Sequence, residues 1–417
     1  MNLPPTERRP RLVAFLGSRL PADYDCRRGN HPDLDRFFRF LEGFGGAFDV
    51  RLLAMFPVPE RLLPGAEIRL LPRTASKLWT RGSLALARAF GLSGIDWDEV
   101  AEATAPSTIV RILGAIRRSD ALFVMSAVER AWLFNTWARA LGKVVVYDSF
   151  DDYVEAVLGA RHRQKGVWPV VRGSIHLAVA WVAAWMAMAA ATLTTVVNDG
   201  HAALVRRRYG VPRRKLQVVN PAIEEGRPGV PAARRDFGLE DGDFVVGYMG
   251  NFRTGSNREA LAGLQREIAP ALDANPRIRF LVMGDVPAEL DAARPNLRYA
   301  GFVREIDAVL PLCDMAISPV AAVGGLIEMK VLHYLRHGLP VLCTAERGNR
   351  FESDAVILRP RREFAAEIGR LFRDPAERRR LAEAARAYYA AHYSRARHDA
   401  SLAELVARTR AAAARRG

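Results

Sequence analysis

Cysteine is scarce in this chain, and the three present stand far apart at Cys26, Cys313 and Cys343. An odd, widely spaced set forms neither a disulfide framework nor a metal-ligand pattern. Cys313 and Cys343 sit in apolar surroundings typical of buried thiols, which points to a reducing compartment. Acidic charge is also short: 46 Asp and Glu stand against 61 Lys and Arg, a net charge of +15. The basic clusters lack the aromatic interleaving of a single-strand binder, and no nucleic-acid motif occurs, so nucleic acid is not an expected partner. No repeat of solenoid period is visible. The apolar run near the N-terminus, LVAFLG, is too short for a secretory signal, and the expected location is cytoplasmic.

One stretch lacks charge altogether. From Gly173 to Asn198 there is no Asp, Glu, Lys or Arg, a length that qualifies as a membrane-span candidate. Residue preference changes inside it. It is alanine-rich up to Ala190 and β-branched across Thr192–Val197, which fits a buried helix running into a buried strand. The competing reading is an interfacial helix that uses Trp181 and Trp185, four apart on one face.

What the chain has in quantity is arginine, clustered at Arg27-Arg28, Arg206–Arg208, Arg213-Arg214, Arg361-Arg362 and Arg378–Arg380. Such a surface suits an anionic membrane face or a phosphorylated substrate. With the apolar stretch, it suggests peripheral contact at the inner face of the cell membrane.

Length allows two full cores. Apolar runs alternate with amphipathic segments, which predicts parallel sheets in an α/β fold. Strands are expected at 11–17, 49–55, 68–71, 121–125, 143–147, 194–197 and 216–219. After a Gly-, Pro- and charge-rich stretch, a second series is expected at 244–249, 279–283, 297–299, 315–317, 340–343 and 355–358. From Pro360 onward the chain reads as helical. The expected division is a domain over 1–223, a linker and entry over 224–243, a second domain over 244–390 and a C-terminal helix over 391–417.

The most informative stretch is Gly324 to Thr344, GGLIEMKVLHYLRHGLPVLCT. A glycine loop opens a helix expected over 327–337, Gly338 is the left-handed stop, and Pro340 precedes a short buried strand. Lys330 in the first turn beside a flexible backbone makes an anion site. In the first half, Asp148, Asp151 and Asp152 cluster after the strand KVVVY. Three readings stay open there: a helix N-cap, contact with a hydroxyl acceptor, or a hard-cation site.

The order of motifs, Gly250-Asn251-Phe252-Arg253 after a strand, then MGD, GFV, DMAISP and the GG-x4-K-x2-H-Y-L-x2-G-L-P-V segment, resembles the C-terminal domain of GT-B glycosyltransferases of group 1, the family 4-like enzymes. The resemblance covers residues 244–344 well and the first half more loosely, through KVVVYDSFDDY and LTTVVNDGHAALVRRRYGVPRRKLQVVNPAI. It implies two Rossmann-like doubly wound domains facing a cleft, with C-terminal helices packing back. It further implies a retaining, metal-independent transfer from a nucleotide sugar, which is a substrate rather than a cofactor, onto an acceptor hydroxyl, lipid-linked or in a polysaccharide.

Carried over by position, Lys330 and Arg253 neutralise the donor diphosphate; from the aspartate cluster after KVVVY, Asp151 is the candidate acceptor-side catalytic carboxylate. Gly250, Asn251, Gly324, Gly325, Leu326, Glu328 and His333 lie about the donor. Arg28, Gly29, Asp148 and Asp152 lie on the acceptor side, with Arg36 a weaker candidate. Two departures stand out. The family's paired glutamates fall on Gly325 and His333, with Glu328 a partial substitute, and Asn220-Pro221 replaces the usual Asn-Gly. Two further readings stay open: a nucleotide-sugar epimerase on the same fold, against which the missing acids weigh, and a degenerate subunit, which their loss favours, that binds a glycan or partner without turnover.

Overall fold

The computed structural model describes residues 9–16, 20, 32–72, 80–82, 105–125, 128–150, 154, 157–158, 167–223, 232–252, 255–290, 294–320, 328–345, 351 and 353–416. The chain forms two compact units. The first comprises Met1–Pro221 with His398–Gly417, and the second Ala222–Arg397.

Among the described residues the first unit carries seven strands: β1 (Arg11–Leu16), β2 (Asp49–Ala54), β3 (Glu67–Leu70), β4 (Ala121–Met125), β5 (Val144–Asp148), β6 (Leu193–Val196) and β7 (Leu216–Val218). They lie in the order β3-β2-β1-β4-β5-β6-β7, every pair parallel. β-branched runs such as Val144-Val145-Val146 are fully buried, as a sheet covered on both faces requires. Alternation sorts β1 between two cores: Val13 and Phe15 pack on one side, Leu12, Ala14 and Leu16 on the other. The helices are α1 (Pro32–Gly45), α2 (Pro106–Arg117), α3 (Val128–Ala140), α4 (Val167–Ala190) and α5 (Asp199–Tyr209).

The second unit repeats the plan with β8 (Phe244–Met249), β9 (Ile278–Met283), β10 (Leu297–Gly301), β11 (Met315–Ser318), β12 (Val341–Thr344) and β13 (Val356–Arg359). Their order, β10-β9-β8-β11-β12-β13, is again wholly parallel. Its longer helices are α6 (Gly255–Gly263), α7 (Met329–Arg336), α8 (Phe364–Arg373) and α9 (Pro375–His392). The strand order reverses direction between β1 and β4 in one sheet and between β8 and β11 in the other. These are the switch points at which such folds bind ligands, beyond the carboxyl ends of the strands.

The last helix, α10 (Arg395–Ala414), returns the chain to the first unit. Its Leu402, Leu405, Ala412 and Ala413 join the core formed by α1 and the sheet. Cys313 and Cys343 are buried free thiols, and burial pushes the Cys313 thiol up to about 12.

The charge-poor stretch is helix then strand, α4 into β6, with the change where the residue preference turns β-branched. The burial differs from expectation. β6 is buried, but α4 buries only the face that carries Ala180, Ala184, Ala187 and Met188. That face packs on α3, whose Asn135 amide donates to the Ala187 carbonyl at 3.0 Å. Val171, Ile175, Val179, Trp181, Val182 and Trp185 stay exposed, because α3, α5 and β5 together cover only part of the helix surface. Among the described residues α4 is the one helix long and apolar enough to cross a membrane, by length and composition alone.

Candidate functional site

The site in the second unit is assembled at the switch point. β8 ends at Met249 and leads into Gly250 and Asn251; β11 ends at Ser318; α7 supplies Lys330. Helix α7 starts at Met329, later than the expected 327, and Ile327 falls outside the described residues. Its stop is as anticipated. Gly338 has φ +70°, and the amides of Gly338 and Leu339 donate to the carbonyls of Leu335 and Tyr334 at 2.9 Å. Val331, Leu332 and Leu335 face the core, which fixes the opposite side of the helix toward the strand ends.

Lys330 is held from three directions. Its ammonium donates to Asn257 Oδ1 at 2.8 Å, lies 3.5 Å from Glu328 Oε2, and sits 5.1 Å from the centroid of the Tyr248 ring. Asn257, in the first turn of α6, in turn donates from its amide to the Asn251 carbonyl at 3.1 Å. One side chain therefore ties the loop after β8 to the cation of α7. The same loop is fixed from beneath. The Tyr334 hydroxyl accepts from the Met249 amide at 2.7 Å, and Gly284 packs against Gly250. Gly284 has φ +142°, and a Cβ there would come within 2.2 Å of the Gly250 carbonyl oxygen, so only glycine fits.

Glu328 is a buried carboxylate, 7% exposed. Its Oε2 accepts from the Ser318 hydroxyl and faces Lys330, while Oε1 is buried with no hydrogen-bond partner among the described residues. Such a group carries an unused acceptor beside a cation. His333, one turn beyond Lys330, has a buried Nδ1 with no partner among the described residues, and burial with nearby His337 lowers its pKa to about 4. It is a neutral imidazole at physiological pH. The sequence reading did not single out Asn257, Ser318, Tyr248 or Tyr334. The available signal for Asn257 was its place just after the Gly250–Arg253 motif, at a helix start.

In the first unit, Asp148 closes β5 and is fully buried. Arg36 of α1 grips it with two bonds, Nε to Oδ2 and Nη2 to Oδ1, each 2.8 Å, and donates from Nη1 to the Val219 carbonyl at 2.8 Å. Thr195 on β6 donates its hydroxyl to Asp148 Oδ1. The guanidinium also lies 4.7 Å from the Phe40 ring centroid and 5.5 Å from that of Phe150. Asp148 was expected to meet an acceptor, and here both its oxygens are engaged away from solvent. It anchors α1 to the strand ends instead.

Arg253, Gly324, Gly325, Leu326, Asp151, Asp152, Arg28 and Gly29 lie outside the described residues. Among the described residues no group of three His, Cys, Asp or Glu could hold a metal ion.

Residues 243–374 match the family of glycosyl transferases, group 1. Nearly the whole chain shares its fold with several solved structures at low identity. HepE of Anabaena, solved in complex with UDP-glucose, superposes with a TM-score of 0.60 at 12% identity, covering 96% of this chain and 99% of that one. The α,α-trehalose 6-phosphate synthase of Burkholderia multivorans gives 0.60 at 13% identity, with 98% of each chain covered. A putative UDP-N-acetylglucosamine 2-epimerase of Listeria monocytogenes gives 0.55 at 9% identity, with 96% and 95% covered. No curated protein matches the sequence. The match to the group 1 glycosyl transferases thus lies in the second unit, and along the whole chain the fold is the one shared with these solved structures.

Proposed function

We propose that the protein moves a sugar from a nucleoside diphosphate sugar to an acceptor hydroxyl, with the second unit holding the donor. The observation that carries this reading is Lys330, a cation fixed by Asn257, Glu328 and Tyr248 at the carboxyl ends of β8 and β11. In such a transfer the bond from the anomeric carbon to the phosphate oxygen breaks, and its electron pair leaves with the diphosphate. Fixed positive charge and backbone N–H groups stabilise that developing charge. Lys330 supplies the charge, joined by Arg253. Gly324, Gly325 and Leu326 are assigned the backbone donors.

The spare Oε1 of Glu328 accepts a donor hydroxyl, a task the family gives to its paired glutamates. Neutral His333 hydrogen-bonds the ribose or packs beside it. The acceptor oxygen bonds to the anomeric carbon and gives up its proton, for which Asp151 is the proposed acceptor-side carboxylate. The outcome we assign is retention, without a metal. The net charge of +15 and the exposed apolar face of α4 support a lipid-linked or polysaccharide acceptor at the inner membrane face.

The test is a panel of UDP-, GDP- and ADP-sugars read first by melting temperature and then by sugar transfer. A donor at about a hundredfold its Kd stabilises the protein by ~2.7 kcal/mol. Transfer to added hydroxyl acceptors supports the reading, and donor consumption without any acceptor favours an epimerase. If no nucleotide sugar raises the melting temperature or is consumed, the proposal fails and a binding subunit remains.

A further inference from the structure

A second basic feature lies at the other end of the first sheet. Six cationic side chains, Arg139, Arg214, Lys215, Arg408, Arg415 and Arg416, line a cavity of about 400 Å³, and no Asp or Glu is among its lining residues. The cavity wall includes Ala191, Thr192 and Leu193, where α4 ends and β6 begins. Arg214 and Lys215 immediately precede β7, and Arg139 ends α3 before β5. The cavity is therefore at the amino ends of β5, β6 and β7. Asp148 is at the carboxyl end of β5, roughly 13 Å away along the strand.

Half of this cluster is built in place by backbone carbonyls. Lys215 Nζ donates to Ala189 at 2.9 Å, Arg408 to Arg214 at 2.5 Å and to Leu216 at 3.2 Å, and Arg416 to Gly142 at 3.1 Å. Carbonyls orient cations without neutralising them. The other three, Arg139, Arg214 and Arg415, have no acidic partner among the described residues. Burial, then Arg139 and Arg214, lower the Lys215 pKa; burial, then Arg139 and Arg415, lower that of Arg416. Six cations converging from α3, the turn before β7 and α10 are held together against repulsion, and an anion relieves it.

The geometry points to a phosphate-binding site in this cavity, separate from the donor site, that takes the phosphoryl or pyrophosphoryl group of a phosphorylated ligand. Two sources carry that chemistry: a soluble phosphorylated molecule, or the headgroup of an anionic lipid. The site stands whether or not Lys330 binds a donor, because the two lie in different units.

The experiment measures inorganic pyrophosphate binding by calorimetry for the wild-type protein, Arg139→Ser/Arg415→Ser, Arg139→Lys/Arg415→Lys and Lys330→Ala. Neither Arg139 nor Arg415 makes a side-chain hydrogen bond within the described residues, and removing them eases the repulsion, so the serine variant is expected to melt at or above the wild-type temperature. Loss of two charge-assisted contacts weakens cavity binding by about tenfold or more in the serine variant, with the lysine variant close to wild type. The Lys330→Ala variant retains this binding and loses only what belongs to the donor site.

A second arm uses vesicles of phosphatidylcholine with and without phosphatidylglycerol. Retention on phosphatidylglycerol vesicles that the serine variant loses and pyrophosphate displaces assigns a lipid headgroup. Pyrophosphate binding without retention on vesicles assigns a soluble ligand. The proposal is overturned if the serine substitutions change neither pyrophosphate binding nor vesicle retention.

Discussion

Arg36 and Asp148 form a two-bond ion pair in the core of the first unit, both bonds 2.8 Å and both side chains within 3% of full burial. A pair of this kind contributes little over an apolar replacement, but breaking it is costly, because the surviving charge is left without water or partner. Asp148→Ala is expected to destabilise the first unit by ~3–5 kcal/mol, whereas Arg36→Met/Asp148→Leu loses much less. Urea denaturation followed by circular dichroism checks this. Equal losses in the single and double variants would show that the pair is not an electrostatic unit.

His398 reports on the junction where α10 meets the first unit. Its Nδ1–H donates to the Asn220 carbonyl at 2.6 Å, and Nε2 is buried with no partner among the described residues. Burial, with Arg36 and Arg39 near, lowers its pKa from 6.5 to about 4, against the opposing pull of the Asn220 bond and Asp399. The unfolded chain therefore takes up this proton first as pH falls. The stability owed to the neutral ring is complete above 6.5 and is lost between 6.5 and 4, by up to ~1.4 kcal/mol per pH unit. His398→Gln, which keeps a donor and removes the titration, flattens the stability profile across that window. An unchanged slope would contradict the assignment.

Gly338 ends α7 with φ +70°, and a Cβ there would lie 2.5 Å from the Arg386 guanidinium. The left-handed backbone alone costs a non-glycine residue about 1–2 kcal/mol. Gly338→Ala is expected to lower the stability of the second unit by at least that, seen as a shift in melting temperature. Arg386→Ala in the same chain recovers the steric part and leaves the backbone part.

Gly284 makes a sharper case, since its Cβ would meet backbone rather than a flexible side chain: the Gly250 carbonyl at 2.2 Å. Gly284→Ala must displace the loop that carries Gly250 and Asn251. The expected result is loss of donor affinity by about tenfold or more, beyond any loss of stability. Donor affinity equal to wild type in a folded variant would separate this loop from the donor site.

Much of the fold was legible because the apolar pattern states it locally. Val144 to Tyr147 reads as a strand buried on both faces, and Gly338-Leu339-Pro340 reads as a helix stop, whatever surrounds them. Relations between distant residues were not legible. Arg36 and Asp148 are 112 residues apart, and Lys330 and Asn257 are 73 apart, so no local spacing announces either contact. The exposure of α4 was hidden for a similar reason. Its sequence is apolar nearly all round, and which stripe is covered depends on its packing against α3, α5 and β5. That Gly325 and His333 stand where the resemblance would put acids was plain in the sequence. That Glu328 is buried against Ser318 with an oxygen to spare needed the structure.

The central claim is that Lys330 meets the donor diphosphate, and affinity for the nucleoside diphosphate tests it most directly. Calorimetric titration of wild-type, Lys330→Arg and Lys330→Ala proteins with the nucleoside diphosphate of the preferred donor is the measurement. Loss of a charge-assisted contact of ~2–3 kcal/mol predicts affinity weaker by roughly 30- to 150-fold in Lys330→Ala, with part of it kept in Lys330→Arg. A folded Lys330→Ala protein that binds the diphosphate as tightly as wild type would contradict the account.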